Sequence, residues 1–199
     1  MQVLKDEIRE SIYQAALTEF SEKGYEKASM RNIAKRAGIT AGNMYRYFKN
    51  KDDLFYTVTS PAYDEIVRFI VEQELPRGND REWENMNVDK QTDGIVSIYL
   101  EHKKELLVII DGSKGTRYER AKDDIIRLVE NMITNILKLR SETDGLAMPD
   151  PHFIHVLSAS VIEGVILILK QYKEDEKVRE MVRQFIGFIF KDFTERISG

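Results

Sequence analysis

The fold of this chain of 199 residues is decided by residues 15–55, which read AALTEFSEKGYEKASMRNIAKRAGITAGNMYRYFKNKDDLF. Two short helical patterns in this stretch are separated by Ala37-Gly38-Ile39. Gly38 supplies a left-handed turn residue, and Ala34 is small where the two helices would cross. The pattern predicts a helix-turn-helix, and the alternative on these residues alone is a plain helical corner.

Hydroxyl side chains mark the beginning of both short helices. Ser29 can cap a helix from Met30 to Arg36, and Thr40 can cap a second one that runs to about Tyr47. Four apolar side chains are spaced to pack against a preceding helix, namely Ile33, Ile39, Met44 and Phe48.

That preceding helix is predicted from an apolar stripe that recurs every four residues, at Ile8, Ile12, Ala16 and Phe20. Such a stripe is typical of a helix with one buried face. The helix is expected to end at Gly24, because glycine tolerates the left-handed conformation that follows many helices.

Downstream of residue 50 the periodicity stays helical. Asn50 can cap the next helix, which we expect to kink at Pro61, and a split into two helices at Ser60-Pro61 is the alternative. A polar loop is expected over 76–84. Further helices are predicted at roughly 88–101, 103–111, 117–140, 151–172 and 175–197. Since no segment indicates a sheet, the chain is predicted to be all-α with about nine helices.

Composition excludes several classes of protein. The chain has no cysteine, which excludes disulfides, thiolate nucleophiles and cysteine-based metal sites. Its first residues form no apolar signal region, and no apolar run approaches the roughly 18–20 residues that span a bilayer. We therefore expect a cytoplasmic protein with no membrane partner.

Charge is distributed unevenly along the chain. The net charge of −4 by itself argues against a nucleic-acid partner. However, the first 51 residues hold ten basic and six acidic side chains, a net +4, whereas the remaining 148 hold 20 and 28, a net −8. Residues 27–51 include seven basic side chains and no acidic one. A basic helix-turn-helix indicates DNA binding, and an ordinary solvated surface is the alternative explanation.

The whole stretch 15–55 closely resembles the DNA-binding domain of the tetracycline-repressor (TetR) family of bacterial transcriptional regulators. The matching positions are Phe20, Gly24, Tyr25, Ser29, Ile33, Ala34, Ala37, Gly38, Ile39, Tyr45, Tyr47, Phe48, Lys51 and Leu54. The resemblance implies a three-helix DNA-binding domain over 1–50 and a helical ligand-binding and dimerisation domain over 51–199.

In that family, the second helix of the motif enters the major groove and contacts bases through its N-terminal half. Here that half begins at Thr40, which can bond a phosphate or a base, and includes Asn43, which can pair with adenine. Ala41 can touch a thymine methyl group, and Gly42 lets the backbone approach closely. Ser29 is expected to cap its helix and to touch phosphate.

Further DNA contacts are expected on both sides of that half. Either Arg31 or Arg46 should add a contact to guanine or to the DNA backbone. Tyr45 and Tyr47 match the family's phosphate-contacting aromatic residues, and Lys51 matches its lysine at the start of the fourth helix. A lysine in the first turn of a helix is unfavourable for the helix dipole, so a phosphate partner explains Lys51 better than stability does.

Dimerisation is expected because a single helix-turn-helix reads too little sequence to be specific in a genome. The helix at 151–172 is apolar almost all round, which indicates more neighbours than one small domain supplies. The resemblance implies that this helix and 175–197 pair with their copies in a homodimer on a palindromic operator. A purely intramolecular core is the alternative.

The resemblance also implies a small-molecule effector site among the middle helices, whose filling releases DNA. Trp83 in the polar loop is a candidate lid, with a surface anchor as the alternative, and Pro61 is a candidate point of flexion. The other candidates are polar residues on apolar helices, each of which can instead be a satisfied core or surface group: Tyr63, Tyr99, His102, Tyr118, His155, Ser158 and Glu163.

An enzymatic function is not expected. The chain has three histidines and no nucleophile motif, and we expect neither a cofactor nor a metal. A helical protein-interaction module is the competing function, but it leaves the basic helix-turn-helix unexplained. We therefore expect a DNA-binding regulator, a repressor that a small molecule releases.

Overall fold

A computed structural model of the chain describes residues 2–72, 88–145 and 147–191, and these residues form eight helices and no strand. The helices are α1 (Gln2–Lys27), α2 (Met30–Arg36), α3 (Ala41–Met44), α4 (Lys51–Val71), α5 (Val88–Gly112), α6 (Ala121–Asp144), α7 (Pro151–Gln171) and α8 (Asp175–Phe190). The prediction of an all-α chain is confirmed. The predicted loop at 76–84, with Trp83, lies outside the described residues.

Three helix boundaries differ from the predicted ones. α3 ends at Met44, and turns rather than a helix cover 45–47. The two helices predicted on either side of residue 102 form a single helix, α5, in which His102 leaves helical geometry at φ −120° and ψ 27°. The predicted interruption is therefore a kink. α6 begins at Ala121 because 117–120 form turns.

The proline in α4 does not end the helix. α4 continues through Pro61 to Val71, so the split that was the alternative to a kink does not occur. The predicted cap of this helix is confirmed, because the side-chain oxygen of Asn50 accepts a hydrogen bond from the backbone N–H of Asp53 at 2.8 Å. The helix that follows the basic segment is thus continuous from its cap to Val71, and the kink expected at Pro61 stays a prediction.

The chain divides into two compact units. The first consists of residues 1–65 and 102–121, and the second of the described parts of 66–101 and 122–199. This division cuts across the predicted boundary at residue 50. One reason is Tyr13 of α1, whose hydroxyl donates to Glu105 of α5 at 2.8 Å and lies 3.3 Å from the carbonyl oxygen of Val58 in α4.

In the first unit, three of the four residues of the predicted apolar stripe of α1 are buried, whereas Ile8 is half-buried. Ile12, Ala16 and Phe20 have no exposed surface, and burial of a large apolar side chain is worth roughly 1.5–3 kcal/mol. The ring of Phe20 meets Phe55 of α4 edge to face at 5.1 Å between centroids. Gly24 has φ 69°, as expected for a helix stop, although one further turn follows before Lys27.

In the second unit, α7 and α8 pack closely at Gly164. A Cβ atom at this position would lie 2.1 Å from Cζ of Phe185, so the phenyl ring occupies the space that any side chain would need. Exposed ion pairs also connect the helices of this unit. Arg183 of α8 lies 2.9 Å from Asp89 of α5, and Lys122 of α6 lies 2.6 Å from Glu163 of α7.

Among the described helices, α7 is long and apolar enough by length and composition to cross a membrane, with a mean hydropathy of 1.9 over its most apolar window. The expectation that no apolar segment reaches the length of a membrane span was wrong for α7. That expectation considered only uninterrupted apolar runs, whereas Ser158 and Glu163 interrupt the apolar run of α7. A third of that window, 33%, is buried inside the chain. Core helices of globular proteins meet the same criteria.

Candidate nucleic-acid interface

The turn between α2 and α3 has the geometry of a helix-turn-helix. Gly38 has φ 71°, the left-handed conformation expected for it, and the N–H of Ile39 donates to the carbonyl of Ala34 at 3.0 Å. Thr40 caps α3, since its hydroxyl accepts from the N–H of Asn43 at 3.1 Å. Both predictions made for this turn, the glycine and the threonine cap, are confirmed.

One side of α2 and α3 is buried and the other faces outward. Ile33, Ala34, Met44 and Phe48 are buried as predicted, whereas Ile39 is only half-buried. With these apolar side chains turned into the first unit, the polar residues at the beginning of α3 lie on the outer surface.

That outer surface of α3 carries small residues. Thr40, Ala41 and Gly42 are exposed, and Asn43 is half-buried. A Cβ atom added at Gly42 would meet no atom within 4 Å. Because glycine weakens a helix by about 0.5–1 kcal/mol relative to alanine, the packing of the chain gives no reason for glycine here. A partner outside the chain that approaches the backbone closely does give one.

Aromatic and basic side chains flank these small residues. Tyr45 is 56% exposed, which is unusual for a large aromatic side chain, and Tyr47 is half-buried. Arg31 on α2 and Arg46 after α3 are both exposed. Ser29 occupies the cap position of α2 but makes no side-chain cap hydrogen bond, so the prediction that its hydroxyl caps the helix was wrong.

Lys51 differs from the other predicted DNA contacts because its ammonium group is bound within the chain. Nζ donates to the carbonyl oxygens of Tyr25, Ala28 and Glu26 at 2.7, 3.2 and 3.3 Å, and it lies 4.2 Å from the centroid of the Tyr25 ring. A cation suits the negative C-terminal end of α1. The expectation that stability does not account for this lysine was therefore wrong, and its phosphate contact stays a prediction.

The residue after Lys51 makes a second link to α1. The hydroxyl of Tyr25 donates to the carboxylate of Asp52 at 2.6 Å. Burial of the phenol, together with this hydrogen bond to a carboxylate, raises the pKa of Tyr25 to about 12. The first turn of α4 is thus joined to the last turns of α1 by two side chains.

Arg36 is also bound within the chain. Its Nε lies 3.2 Å from a carboxylate oxygen of Glu19, which is only 1% exposed and also accepts from the Asn32 amide at 3.1 Å. A second ion pair joins Arg36 to Glu22. Two of the seven basic residues in 27–51 therefore serve the packing of the first unit. The other five are exposed, namely Lys27, Arg31, Lys35, Arg46 and Lys49.

The predicted effector residues of the first unit form hydrogen bonds or ring contacts within it. His102 Nε2 lies 2.7 Å from a carboxylate oxygen of Glu65. The ring of Tyr63 packs against that of Tyr118 at 4.6 Å between centroids. The hydroxyl of Tyr118 donates to Ser60 at 3.1 Å and accepts from Arg117 at 3.0 Å.

The predicted effector residues of the second unit have partners too. The Tyr99 hydroxyl donates to the carbonyl of Leu169 at 2.6 Å, and Ser158 donates to that of Ile154 at 2.8 Å. His155 Nδ1 lies 2.8 Å from Glu130. All of these contacts fit the alternative that the residues are satisfied structural groups, and their effector role stays a prediction.

Thr92 on α5 was not among the predicted effector residues. It is fully buried, and its hydroxyl has no hydrogen-bond partner among the residues that the structure describes. Leaving a buried hydroxyl without a partner costs about 1–3 kcal/mol, so such a group needs an explanation. No pattern in the sequence distinguishes Thr92 from a threonine whose hydroxyl bonds its own helix.

Residues 12–58 match a protein family described as bacterial regulatory proteins, tetR family. The matched residues 12–58 form the tetR part of the chain. The match includes most of α1, the whole helix-turn-helix and the first turns of α4, and it confirms the resemblance seen in residues 15–55. The tetR part therefore contains every residue for which a DNA contact is predicted.

Curated relatives match part of the chain. An HTH-type transcriptional regulator of Staphylococcus aureus (strain MRSA252) is 32% identical over 112 residues, which are 56% of this chain and 58% of that protein. The HTH-type transcriptional regulator HbdR of Aromatoleum sp. (strain CIB) is 36% identical over 74 residues, 37% of this chain and 30% of HbdR. The chain thus spans less than two thirds of either relative.

Solved structures resemble the chain over most of its length. A member of the TetR transcriptional regulator family from Streptomyces coelicolor A3 superimposes with a TM-score of 0.68, covering 92% of this chain and 90% of that one at 20% identity. At this identity the likeness shows the fold alone. The helices that follow the tetR part therefore share the arrangement of a TetR-family regulator.

Proposed function

We propose that the chain is a ligand-responsive transcriptional repressor that binds a palindromic operator as a homodimer in the cytoplasm. The observation that carries the proposal is the outer surface of α3. There an exposed glycine with open space around it lies in the segment 27–51, which carries five exposed basic residues and falls within the part of the chain that matches the tetR family. A small backbone surface rimmed by positive charge suits the major groove of DNA.

The proposed DNA contacts divide by chemistry. Thr40, Ala41, Gly42 and Asn43 face the bases, where Asn43 can pair with adenine and Ala41 can touch a thymine methyl group. The phosphate backbone is bound by Tyr45, Tyr47, Ser29 and the exposed arginines Arg31 and Arg46. Few long polar side chains reach the bases, so discrimination per half-site is modest and two half-sites are needed.

The second copy in the proposed homodimer covers apolar side chains of α7 and α8. Phe153, Val156 and Leu167 of α7 are 49%, 48% and 66% exposed, and Phe188 of α8 is 78% exposed. Large apolar side chains concentrated on two neighbouring helices are typical of a protein–protein interface. A C2 pairing of α7 and α8 with their copies would remove them from water.

The proposed effector acts by binding one conformation of the dimer more tightly than the other, because only a difference in affinity can shift the equilibrium away from DNA. Thr92 supports a site in the second unit, since its buried hydroxyl has no hydrogen-bond partner in 88–145 or the other described segments, and a ligand oxygen or nitrogen would supply one. This assignment is separate from the DNA-binding part of the proposal.

The DNA-binding part is tested by affinity selection of genomic fragments from the source organism, followed by a mobility shift of the recovered duplex. Enrichment of a palindromic sequence supports the proposal. Recovery of no sequence above background, with the chain folded and dimeric, would instead favour the helical interaction module.

The dimer is tested by light scattering coupled to size exclusion. Leu167→Glu places a charge in the proposed interface and should convert the dimer to monomer at micromolar concentration, because an unpaired charge cannot be buried there. Asn135→Asp, at an exposed position of α6 outside the proposed interface, serves as the control for an added negative charge and should remain dimeric. A dimeric Leu167→Glu variant would place the interface elsewhere.

A further inference from the structure

A nearly buried carboxylate lies between α1 and α2. Glu19 of α1 is 1% exposed, and its two oxygens have different partners on α2. Oε1 accepts a hydrogen bond from the Asn32 amide at 3.1 Å, and Oε2 accepts one from Nε of Arg36 at 3.2 Å. A carboxylate withdrawn from water needs such partners, because burial of an unpaired charge is costly. Glu19 is therefore bound to α2 at two points.

The two partners of Glu19 lie on one side of α2. Asn32 and Arg36 are four residues apart, so they share a face of the helix. Arg31 and Lys35 are also four residues apart, and both are exposed. Each precedes one of the partners of Glu19 by one residue, which is about 100° around the helix axis. Contacts that fix the first pair therefore fix the direction of the second pair.

Apolar packing holds α2 against α1 but does not by itself fix its rotation. The buried side chains of α2 are Met30, Ile33 and Ala34, and hydrophobic burial depends on the area removed from water rather than on direction. The hydrogen bonds of Glu19 are directional, since they weaken steeply when donor and acceptor are misaligned. On a helix of seven residues, two such bonds strongly limit rotation about the axis.

Two exposed contacts continue this link along α1. Glu22 forms a second ion pair with Arg36, and the Ser11 hydroxyl donates to the carbonyl of Ala37 at 3.2 Å. Water screens an exposed ion pair, so such a contact contributes little. Of these three residues of α1, Glu19 is the one whose contacts are withdrawn from water.

From this geometry we infer that Glu19 is a positioning residue for DNA recognition. Through Asn32 and Arg36 it sets the rotation of α2, and with it the direction of Arg31 and Lys35 toward the duplex. Glu19 itself is buried and does not reach DNA. For its affinity readout the inference rests on the proposed DNA binding, whereas its hydrogen-exchange readout is independent of DNA.

The test compares Glu19→Leu with Glu22→Leu in the full chain. Both variants lose a carboxylate that binds Arg36, on the same helix, but Glu22 is exposed. Arg36 is 38% exposed and keeps Glu22 in the first variant, so its charge is not left buried. An apolar side chain in place of a buried charge is often neutral or stabilising. A merely structural role therefore predicts that Glu19→Leu keeps its Tm and its affinity for DNA.

Fluorescence anisotropy on a duplex carrying the selected operator measures each variant alone and combined with Arg31→Met. In the wild type, Arg31→Met should weaken binding roughly tenfold. Glu19→Leu should weaken binding by a similar factor, and adding Arg31→Met to it should weaken binding by less than about threefold more, because Arg31 is then no longer directed at the duplex. Glu22→Leu should keep the wild-type affinity and the full effect of Arg31→Met.

Three results of these binding measurements would overturn the inference. The first is an equal effect of Arg31→Met in the wild type and in Glu19→Leu, because residues that act independently give equal factors. The second is a Glu19→Leu variant that binds the operator as tightly as the wild type. The third is an Arg31→Met variant that does so, because no DNA contact of Arg31 would then depend on the rotation of α2.

Hydrogen exchange followed by mass spectrometry reports the attachment of α2 without DNA. In Glu19→Leu the amides of α2 should exchange roughly tenfold faster than in the wild type, while those of α1 and α4 keep their rates. Unchanged exchange in α2, or an equal increase in all three helices, would also overturn the inference. If the wild type binds no DNA, the proposed function fails, and the exchange comparison still decides whether Glu19 holds α2.

Asn32→Ala provides a second variant in case Glu19→Leu does not fold. Asn32 is exposed, and its loss removes one of the two hydrogen bonds between Glu19 and α2. The combination with Arg31→Met should again give less than the product of the two separate effects, and α2 should again exchange faster than α1 and α4. Independent effects on binding, or wild-type exchange in α2, would overturn the inference.

Discussion

The substitution Gly42→Ala should separate the stability of the chain from its affinity for DNA. Gly42 is the second residue of α3, and a Cβ atom there would meet nothing within 4 Å. Alanine therefore costs no packing energy and removes backbone freedom from the unfolded chain. We expect a gain of about 0.5–1 kcal/mol, which is a rise in Tm of roughly 1–4 °C for a chain of this size.

The same methyl group should weaken DNA binding. If the backbone at Gly42 lies against the duplex, the added carbon overpacks the contact, at a cost of about 1–3 kcal/mol for each half-site. The dissociation constant should therefore rise at least about fivefold, and by more when both subunits contribute. The more stable variant is thus expected to be the weaker binder.

Thermal unfolding and fluorescence anisotropy on the selected operator measure the two effects on one preparation. Ser21→Ala, at an exposed position of α1, is the matched control, because it raises helix propensity away from α3. It should raise Tm slightly and leave the affinity unchanged. If Gly42→Ala raised Tm and bound the operator as tightly as the wild type, the argument that an external partner requires this glycine would be refuted.

Two further predictions concern packing and pH. Gly164→Ala should destabilise the chain by about 1–3 kcal/mol, because the new Cβ would lie 2.1 Å from the Phe185 ring. This effect on stability has the opposite sign to that of Gly42→Ala. An unchanged midpoint in urea unfolding would contradict the close packing of α7 and α8. The pKa of Tyr25 is raised from 10.0 to about 12, so the unfolded chain loses this proton before the folded chain does. Its contribution to stability is complete below pH 10 and is lost as the pH rises to about 12, so the wild type should lose stability over this window more steeply than Tyr25→Phe. Parallel pH profiles in chemical unfolding would argue against this role for the Tyr25–Asp52 hydrogen bond.

Much of the first unit could be predicted from local sequence. The stripe at Ile12, Ala16 and Phe20, the turn at Gly38 and the caps at Thr40 and Asn50 depend on residues within a few positions of one another. Such local rules hold when nearby backbone groups decide the conformation. The cap expected from Ser29 follows the same rules and still does not form, which shows that residue type makes a cap possible without ensuring it.

Local sequence patterns predicted the exposure of some site residues, but they did not predict the contacts of others. Gly42 and Tyr45 are exposed beside each other, as the pattern of α3 indicates. The polar groups predicted to bind an effector have partners in distant parts of the chain, such as Glu65 for His102 and Leu169 for Tyr99. No spacing in the sequence indicates those partners, because they come together only when separate helices pack.

The sequence by itself determined the helix-turn-helix, whose periodicity and turn residues are local, and its resemblance to the TetR family over residues 15–55 indicated the class of the protein. Only the tertiary structure decided what each basic side chain of that stretch does. Lys51 looks like a DNA ligand in the sequence, and Arg36 is one of the basic residues of the same segment. In the structure the Lys51 ammonium group donates to backbone carbonyls at the end of α1, and Arg36 pairs with the nearly buried carboxylate of Glu19. The physical reason is that an unsatisfied acceptor at a helix end, or a buried carboxylate, attracts a cation wherever the fold places one within reach.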